Sequence, residues 1–171
     1  TRAATATRAV ATGSAVSGVR AARPFPVGAA VDYQLGGGYD VPDGVGIVAR
    51  DSTDHPAAGV WSICYMNGFQ TQPGEQRRWS GERSQLILRD DAGRPVADPG
   101  WPDERLLDTG TAAKRDAIAQ VIDEDLTRCA DRGFDAVEID NLDSFTRARG
   151  SRLTLAGNEA LAVLYARRAH E

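Results

Sequence analysis

Two cysteines, two histidines and one methionine in 171 residues leave little for metal or redox chemistry. Cys64 and Cys129 cannot form a zinc knuckle, and His55 and His170 stand in no ligand spacing with them, so no metal and no other cofactor is expected. The two cysteines read equally well as one disulfide or as two small buried side chains. No apolar run approaches the roughly 20 residues that a membrane-spanning helix needs, and mean hydropathy is -0.37, so no membrane partner is expected. GxGxxG, GxxxxGKS/T, HExxH and GxSxG are all missing, which removes the local signatures of nucleotide binding, zinc hydrolysis and serine-nucleophile chemistry. A basic surplus is missing too: 20 Lys and Arg face 24 Asp and Glu, for a net charge of -4. Four of the arginines (Arg2, Arg8, Arg20, Arg23) lie in the first 23 residues, which hold no acid, so the remainder is near -8. Such a body repels nucleic acid and gathers cations, cationic polymers included.

What is present fits one domain with one core. Residues 1–25, rich in Ala, Thr, Ser and Gly, read as an unpacked leader or linker, and residues 26–171 as the folded domain. Within the domain, strands come first and helices later. Residues 29–35, 45–49 and 60–66 are short β-branched or apolar runs that end in polar clusters. Residues 85–89 with the following DDAGRP suggest a short hairpin, and 104–107 a further short strand. Ile118, Val121, Ile122 and Leu126 recur at helical spacing between Thr111 as N-cap and Gly133 as C-terminal stop. Residues 136–140 then alternate as a strand, and 154–170 return to helical spacing. A strand, a helix, a strand and a helix in sequence describe βα units and a parallel sheet.

The polar residues gather where these strands end: Asp32, Tyr33 and Gln34; Asp51; Tyr65, Asn67 and Gln70; Asp108; then Glu138, Asp140, Asn141 and Asp143. Phenols, amides and carboxylates at corresponding places in successive units describe one wet cleft of the kind that binds sugars. In residues 136–140 the period of two sets Glu138 and Asp140 on one face and Val137 and Ile139 on the other. Two carboxylates in one site are what acid and base catalysis needs; the plainer alternative is a satisfied buried Glu138 and a turn-capping Asp140. Trp61, Trp79 and Trp101 serve either as sugar platforms or as packing, and Arg147 and Arg149 read as solvated or paired with Asp143.

The segments DYQLGGGYD (32–40), ICYMNGFQTQP (63–73), WPDERLLDTGTAAKRD (101–116) and GFDAVEIDNLDSFTR (133–147) resemble the actinobacterial branch of glycoside hydrolase family 114, typed by endo-α-1,4-polygalactosaminidase. The resemblance implies a (β/α)8 TIM barrel, usually secreted and hence extracellular, that hydrolyses a cationic galactosamine-containing polysaccharide with two carboxylates and no metal. It puts Asp140 as nucleophile or base, with Tyr65 and Asp32 or Asp51 as sugar contacts. About 145 residues follow the leader where a (β/α)8 domain takes roughly 200 to 250. The expectation is therefore a chain holding about the first five βα units, with the second catalytic carboxylate beyond Glu171, strand edges left open and a tendency to self-associate. Two other readings stand beside this one: a barrel that binds the glycan without cutting it, and metal-assisted hydrolysis through Asp140, Asp143 and Glu138.

Overall fold

The computed structural model describes residues 22–148 and 150–171. Most of the expected leader, and Arg149, lie outside them. The end of that leader is tied down, however: Arg23 pairs with Asp135, and Phe25 meets Trp61 edge-on with ring centroids 5.0 Å apart.

Four strands form one parallel sheet in sequence order: β1 (Ala30–Gln34), β2 (Val45–Asp51), β3 (Trp61–Asn67) and β4 (Ala136–Asp140). Five βα units were expected, and four parallel strands are found among the described residues. The segments at 85–89 and 104–107 do not join the sheet. They form a small antiparallel patch in the long β3-to-α1 connection, where the Leu88 amide donates to Leu106 O (2.8 Å), Leu106 to Val96 O (3.0 Å) and Val96 to Leu88 O (2.9 Å). The hairpin through DDAGRP is real, closed by the Asp90 amide on Arg94 O at 2.9 Å. Leu88 and Leu106 of this patch join Ala148 and Leu153 in a second apolar cluster, while Leu86 and Leu107 of the same segments pack into the main core.

Helix α1 (Ala112–Arg132) starts and stops where its sequence says. Thr111 Oγ1 accepts the Lys114 amide at 3.3 Å, and Gly133 turns the chain at φ 87°, in the left-handed region that glycine enters without steric cost. Ile118, Val121, Ile122, Leu126 and Cys129 line its buried face. They pack with Cys64 and Met66 of β3, with Val137 and Ile139 of β4, and with Leu161 and Tyr165 of α3 (Leu155–His170). Cys64 and Cys129 are joined as a disulfide, with Cα atoms 6.0 Å apart, so β3 and α1 are covalently fastened. A one-turn helix, α2 (Ser144–Arg147), separates β4 from α3. Gly68, just past β3, has no room for a side chain because a Cβ there would strike Ile139 and Tyr165, and the Tyr165 hydroxyl donates to its carbonyl at 2.5 Å. None of the described helices is long and apolar enough to cross a membrane.

The sheet is curled. β1 and β4 are three strand spacings apart, about 14 Å if the sheet were flat. Yet the Tyr33 hydroxyl of β1 donates to both carboxylate oxygens of Glu138 on β4, at 2.8 and 3.0 Å. Only a concave face brings those side chains together, and Ala49, the β2 partner of Tyr33, leaves the space between them open.

Candidate active site

The register sets who shares the concave face. Asp51 pairs with Tyr65, Tyr65 with Glu138, and Asn67 with Asp140, and paired residues in a parallel sheet point to the same side. Val137 and Ile139 go to the helix side, as their alternation requires, so Glu138 and Asp140 face the hollow with Tyr33, Asp51 and Tyr65. Asp140 is the exposed last residue of β4. Its two oxygens are taken separately: Oδ2 accepts the Tyr65 hydroxyl at 2.5 Å, and Oδ1 accepts the Asn141 amide at 2.7 Å. Asp51 Oδ2 accepts the Gly36 amide at 2.6 Å, which ties the β1-to-β2 loop to the rim.

Burial, followed by the Asp140 carboxylate, holds the Tyr65 phenol far above its ordinary range. Tyr33 is also raised, first by its bond to Glu138 and then by burial. Both phenols are therefore neutral donors at any working pH, each aimed at a carboxylate.

Several expected sugar contacts are committed elsewhere. Asp32 and Gln34 pair with Val48 and Arg50 and so lie on the opposite face from Tyr33. Gln34 is 1% exposed; its Nε2 donates to Asp32 at 2.9 Å, and its Oε1 accepts Arg50 Nε at 2.9 Å and the Tyr39 amide at 3.1 Å. It braces the Gly36–Gly38 loop and does not offer itself to a ligand. Strand alternation forbids three successive residues from all facing one cleft, and the register with β2 and the Arg50 partner put Asp32 and Gln34 on the far side. Asp108 is buried at the entry to α1, bonded to the Gly110 amide (3.0 Å) and to Lys114 Nζ (2.5 Å). Asp143 is exposed and pairs with Arg147 at 2.5 Å.

Asn67, Gln70 and Asn141 do come together near Asp140, as parts of a buried network built on Arg147 and on Glu104 and Asp98, the last two not expected as site residues. Glu104 Oε2 accepts Asn67 Nδ2 at 2.9 Å and Gln70 Nε2 at 2.5 Å. Asn141 Nδ2 donates to Asn67 Oδ1 at 2.8 Å. Arg147 reaches Gln70 Oε1 (3.0 Å), Asn141 Oδ1 (2.9 Å) and the buried Asp98 (2.5 Å). Burial pushes the Glu104 carboxyl up; the two amide donors oppose that, and the charges of Asp98 and Asp140 add to it. Arg147 is held charged because its carboxylate partners, Asp143 and Asp98, outweigh the effect of its own burial. Of the two readings of Arg147, the pairing with Asp143 is the one found, and the Asp98-Pro99-Gly100 turn signature is a signal that could have pointed to the rest. Nothing local marks Glu104, whose burial is set by contacts across the fold.

Of the tryptophans, Trp79 is core and bonds Glu75 through Nε1 (3.1 Å), Trp61 packs on Phe25, and Trp101 is 64% exposed. Among the described residues no three of His, Cys, Asp and Glu are gathered as a metal ligand set.

A curled parallel sheet with carboxylates and phenols at the carboxyl ends of its strands is an architecture used by enzymes that act on sugars. The fold is similar to that of two solved proteins, one bound to a sugar and one named a glycoside hydrolase domain. The chain matches the crystal structure of Aspergillus fumigatus Ega3 in complex with galactosamine with a TM-score of 0.67 and 22% identity, over 90% of this chain and 60% of that one. It matches the glycoside hydrolase domain of PelA from Pseudomonas aeruginosa with a TM-score of 0.54 and 15% identity, over 82% and 55%. Comparison with curated proteins finds no match. Residues 12–171 match the family model for glycoside-hydrolase family GH114, and the chain belongs to that family. It spans 60% of the length of the Ega3 chain.

Proposed function

We propose that the protein is a glycoside hydrolase that cleaves an α-1,4-linked, galactosamine-containing polysaccharide, with Asp140 acting at the anomeric carbon as nucleophile or base. The observation that carries the reading is Asp140 itself: a carboxylate at the carboxyl end of a strand, on the concave face, with both oxygens oriented by the Tyr65 hydroxyl and the Asn141 amide. Membership of GH114 and the likeness to a galactosamine-bound protein support the substrate class. So does charge. A polymer with free amines is cationic near neutral pH, and the hollow presents Asp51, Glu138 and Asp140 within a body near -8. The disulfide supports a location outside the reducing cytoplasm.

We further propose that β1 to β4 are one side of a (β/α)8 barrel, since the sheet curls and both its edge strands are unpaired among the described residues. On this reading residues 26–171 are the N-terminal part of the catalytic domain, and the proton-donating carboxylate comes from a later strand. Two nearby acids are poorly placed to donate: Glu138 already accepts the Tyr33 hydroxyl, and Glu104 is buried under two amides. The same observation favours a second reading, a barrel that holds the glycan without cutting it.

The test is release of reducing ends from soluble α-1,4-oligogalactosamine by the complete gene product, wild type against Asp140→Asn, with binding measured in parallel. Hydrolysis expects turnover lost and binding kept in the variant. Binding without reducing ends in both proteins selects the second reading, and neither binding nor turnover overturns both.

A further inference from the structure

We propose that Arg147 is the positioning residue for Asp140, acting through Asn141; the catalytic part of this inference rests on the function proposed above. Asn141 follows Asp140 directly and is the one non-glycine among the described residues with positive φ, at 72°. Asparagine tolerates the left-handed region better than other side-chain-bearing residues because its short amide finds local partners, and here the amide is held at both ends. The holders are on both ends of its amide: Nδ2 donates to Asn67 Oδ1 at 2.8 Å, and Oδ1 accepts Arg147 Nη2 at 2.9 Å. Held this way, Asn141 keeps its backbone N–H 2.7 Å from Asp140 Oδ1, while Tyr65 holds Oδ2.

Arg147 is built for the task. Nε donates to Asp98 Oδ2 (2.5 Å), Nη1 to Asp143 Oδ1 (2.5 Å), and Nη2 to both Gln70 Oε1 (3.0 Å) and Asn141 Oδ1. One planar group thus joins the loop after β3, the loop at residue 98 and the turn after β4. Asp98, whose side chain is fully buried, anchors the guanidinium and also accepts the amides of Gly100 (2.8 Å) and Trp101 (3.1 Å). A lysine has neither the fork nor the donor count to replace it. Glu104 completes the support from the far side by fixing Asn67 and Gln70. Asp140 therefore owes its Asn141 contact to a network that runs back to the buried Asp98 and Glu104.

Arg147→Ala and Arg147→Lys test this in the complete protein with two readouts. The first is amide hydrogen exchange at Asn141, which does not depend on catalysis: protection present in wild type is lost in both variants, while protection of the α1 core amides stays. Unchanged Asn141 protection overturns the clamp. The second is steady-state hydrolysis of oligogalactosamine. Misplacing a reacting group by about 1 Å costs on the order of 100-fold, so kcat falls by about that factor with KM little changed, and millimolar guanidinium restores part of it to Arg147→Ala but none to Arg147→Lys. A variant that keeps wild-type kcat overturns the positioning role even if exchange changes. A wild type that releases no reducing ends overturns the proposed function, and the exchange result then still decides whether Arg147 holds Asn141.

Discussion

Breaking the Cys64–Cys129 disulfide is the sharpest test of what holds this fold together. The bridge fastens β3 to α1 across a sequence separation of 65 residues, and both sulfurs are buried, 0% and 1% exposed by residue. Opening a loop of that size returns conformational entropy to the unfolded chain, worth about 4 kcal/mol at 25 °C in the chain-entropy treatment. For a protein of this length each kcal/mol moves Tm by about 2 to 4 °C, so the loss is about 8 to 16 °C. Urea unfolding of the same wild-type protein with and without a strong thiol reductant isolates the bridge, because no side-chain volume changes. The oxidised protein should also yield no free thiol to a thiol reagent, folded or unfolded, until a reductant opens the bridge. The bridge lies on the helix side, and Tyr65, the next residue along β3, faces the concave side, so loosening β3 also loosens the phenol that orients Asp140. A reduced protein within about 1 kcal/mol of the oxidised one would refute the reasoning, as would two reactive thiols in the native state.

Tyr65→Phe removes one donor from Asp140 and leaves the ring; kcat should fall about tenfold, on the scale of one charged hydrogen bond, with the urea midpoint nearly unchanged, and an unchanged kcat refutes the orienting role. All four tyrosines are raised above their ordinary range: Tyr33 and Tyr39 chiefly by bonds to Glu138 and Asp32, Tyr65 and Tyr165 chiefly by burial. The folded state therefore keeps these protons to higher pH than the unfolded chain, so their contribution to stability is complete below about pH 10 and is lost as pH climbs beyond it. Absorbance at 295 nm should show little phenolate at pH 10 and a steep rise together with unfolding; ordinary titration of the native protein at that pH would contradict it. Asp125→Ala removes a buried carboxylate shared by Arg78 (2.7 Å, 16% of its side chain exposed) and Arg128, leaving Arg78 with Glu75 at 2.8 Å, and should cost about 3 kcal/mol in urea unfolding. Asp123→Ala, which removes an exposed partner of Arg168, should cost under about 0.5 kcal/mol, and equal costs would show that burial is not what matters.

Local chemistry alone determined a good deal. The caps at Thr111 and Gly133, the spacing of Ile118, Val121, Ile122 and Leu126, and the alternation of residues 136–140 each act within a few residues of chain. α1 and β4 therefore follow from the sequence, and with β4 the side to which Asp140 points. The family followed from the segments around those elements. Tertiary structure decided the rest. Whether 85–89 and 104–107 enter the main sheet depends on which backbone they pair with, since their side chains divide between both apolar clusters, and short apolar runs do not say. The pairing of Cys64 with Cys129 required β3 to lie under α1. The site divided along the same line. A residue that ends a strand can be placed on a face from its own neighbours, but whether Gln34 or Gln70 is open to a ligand or spent on a neighbour is settled by partners 16 and 77 residues away. Hydrogen bonds of that reach leave no mark in local sequence, which is why Asp140, Asn141 and the Asp143–Arg147 pair could be read and the buried network that joins them to Asp98 and Glu104 could not.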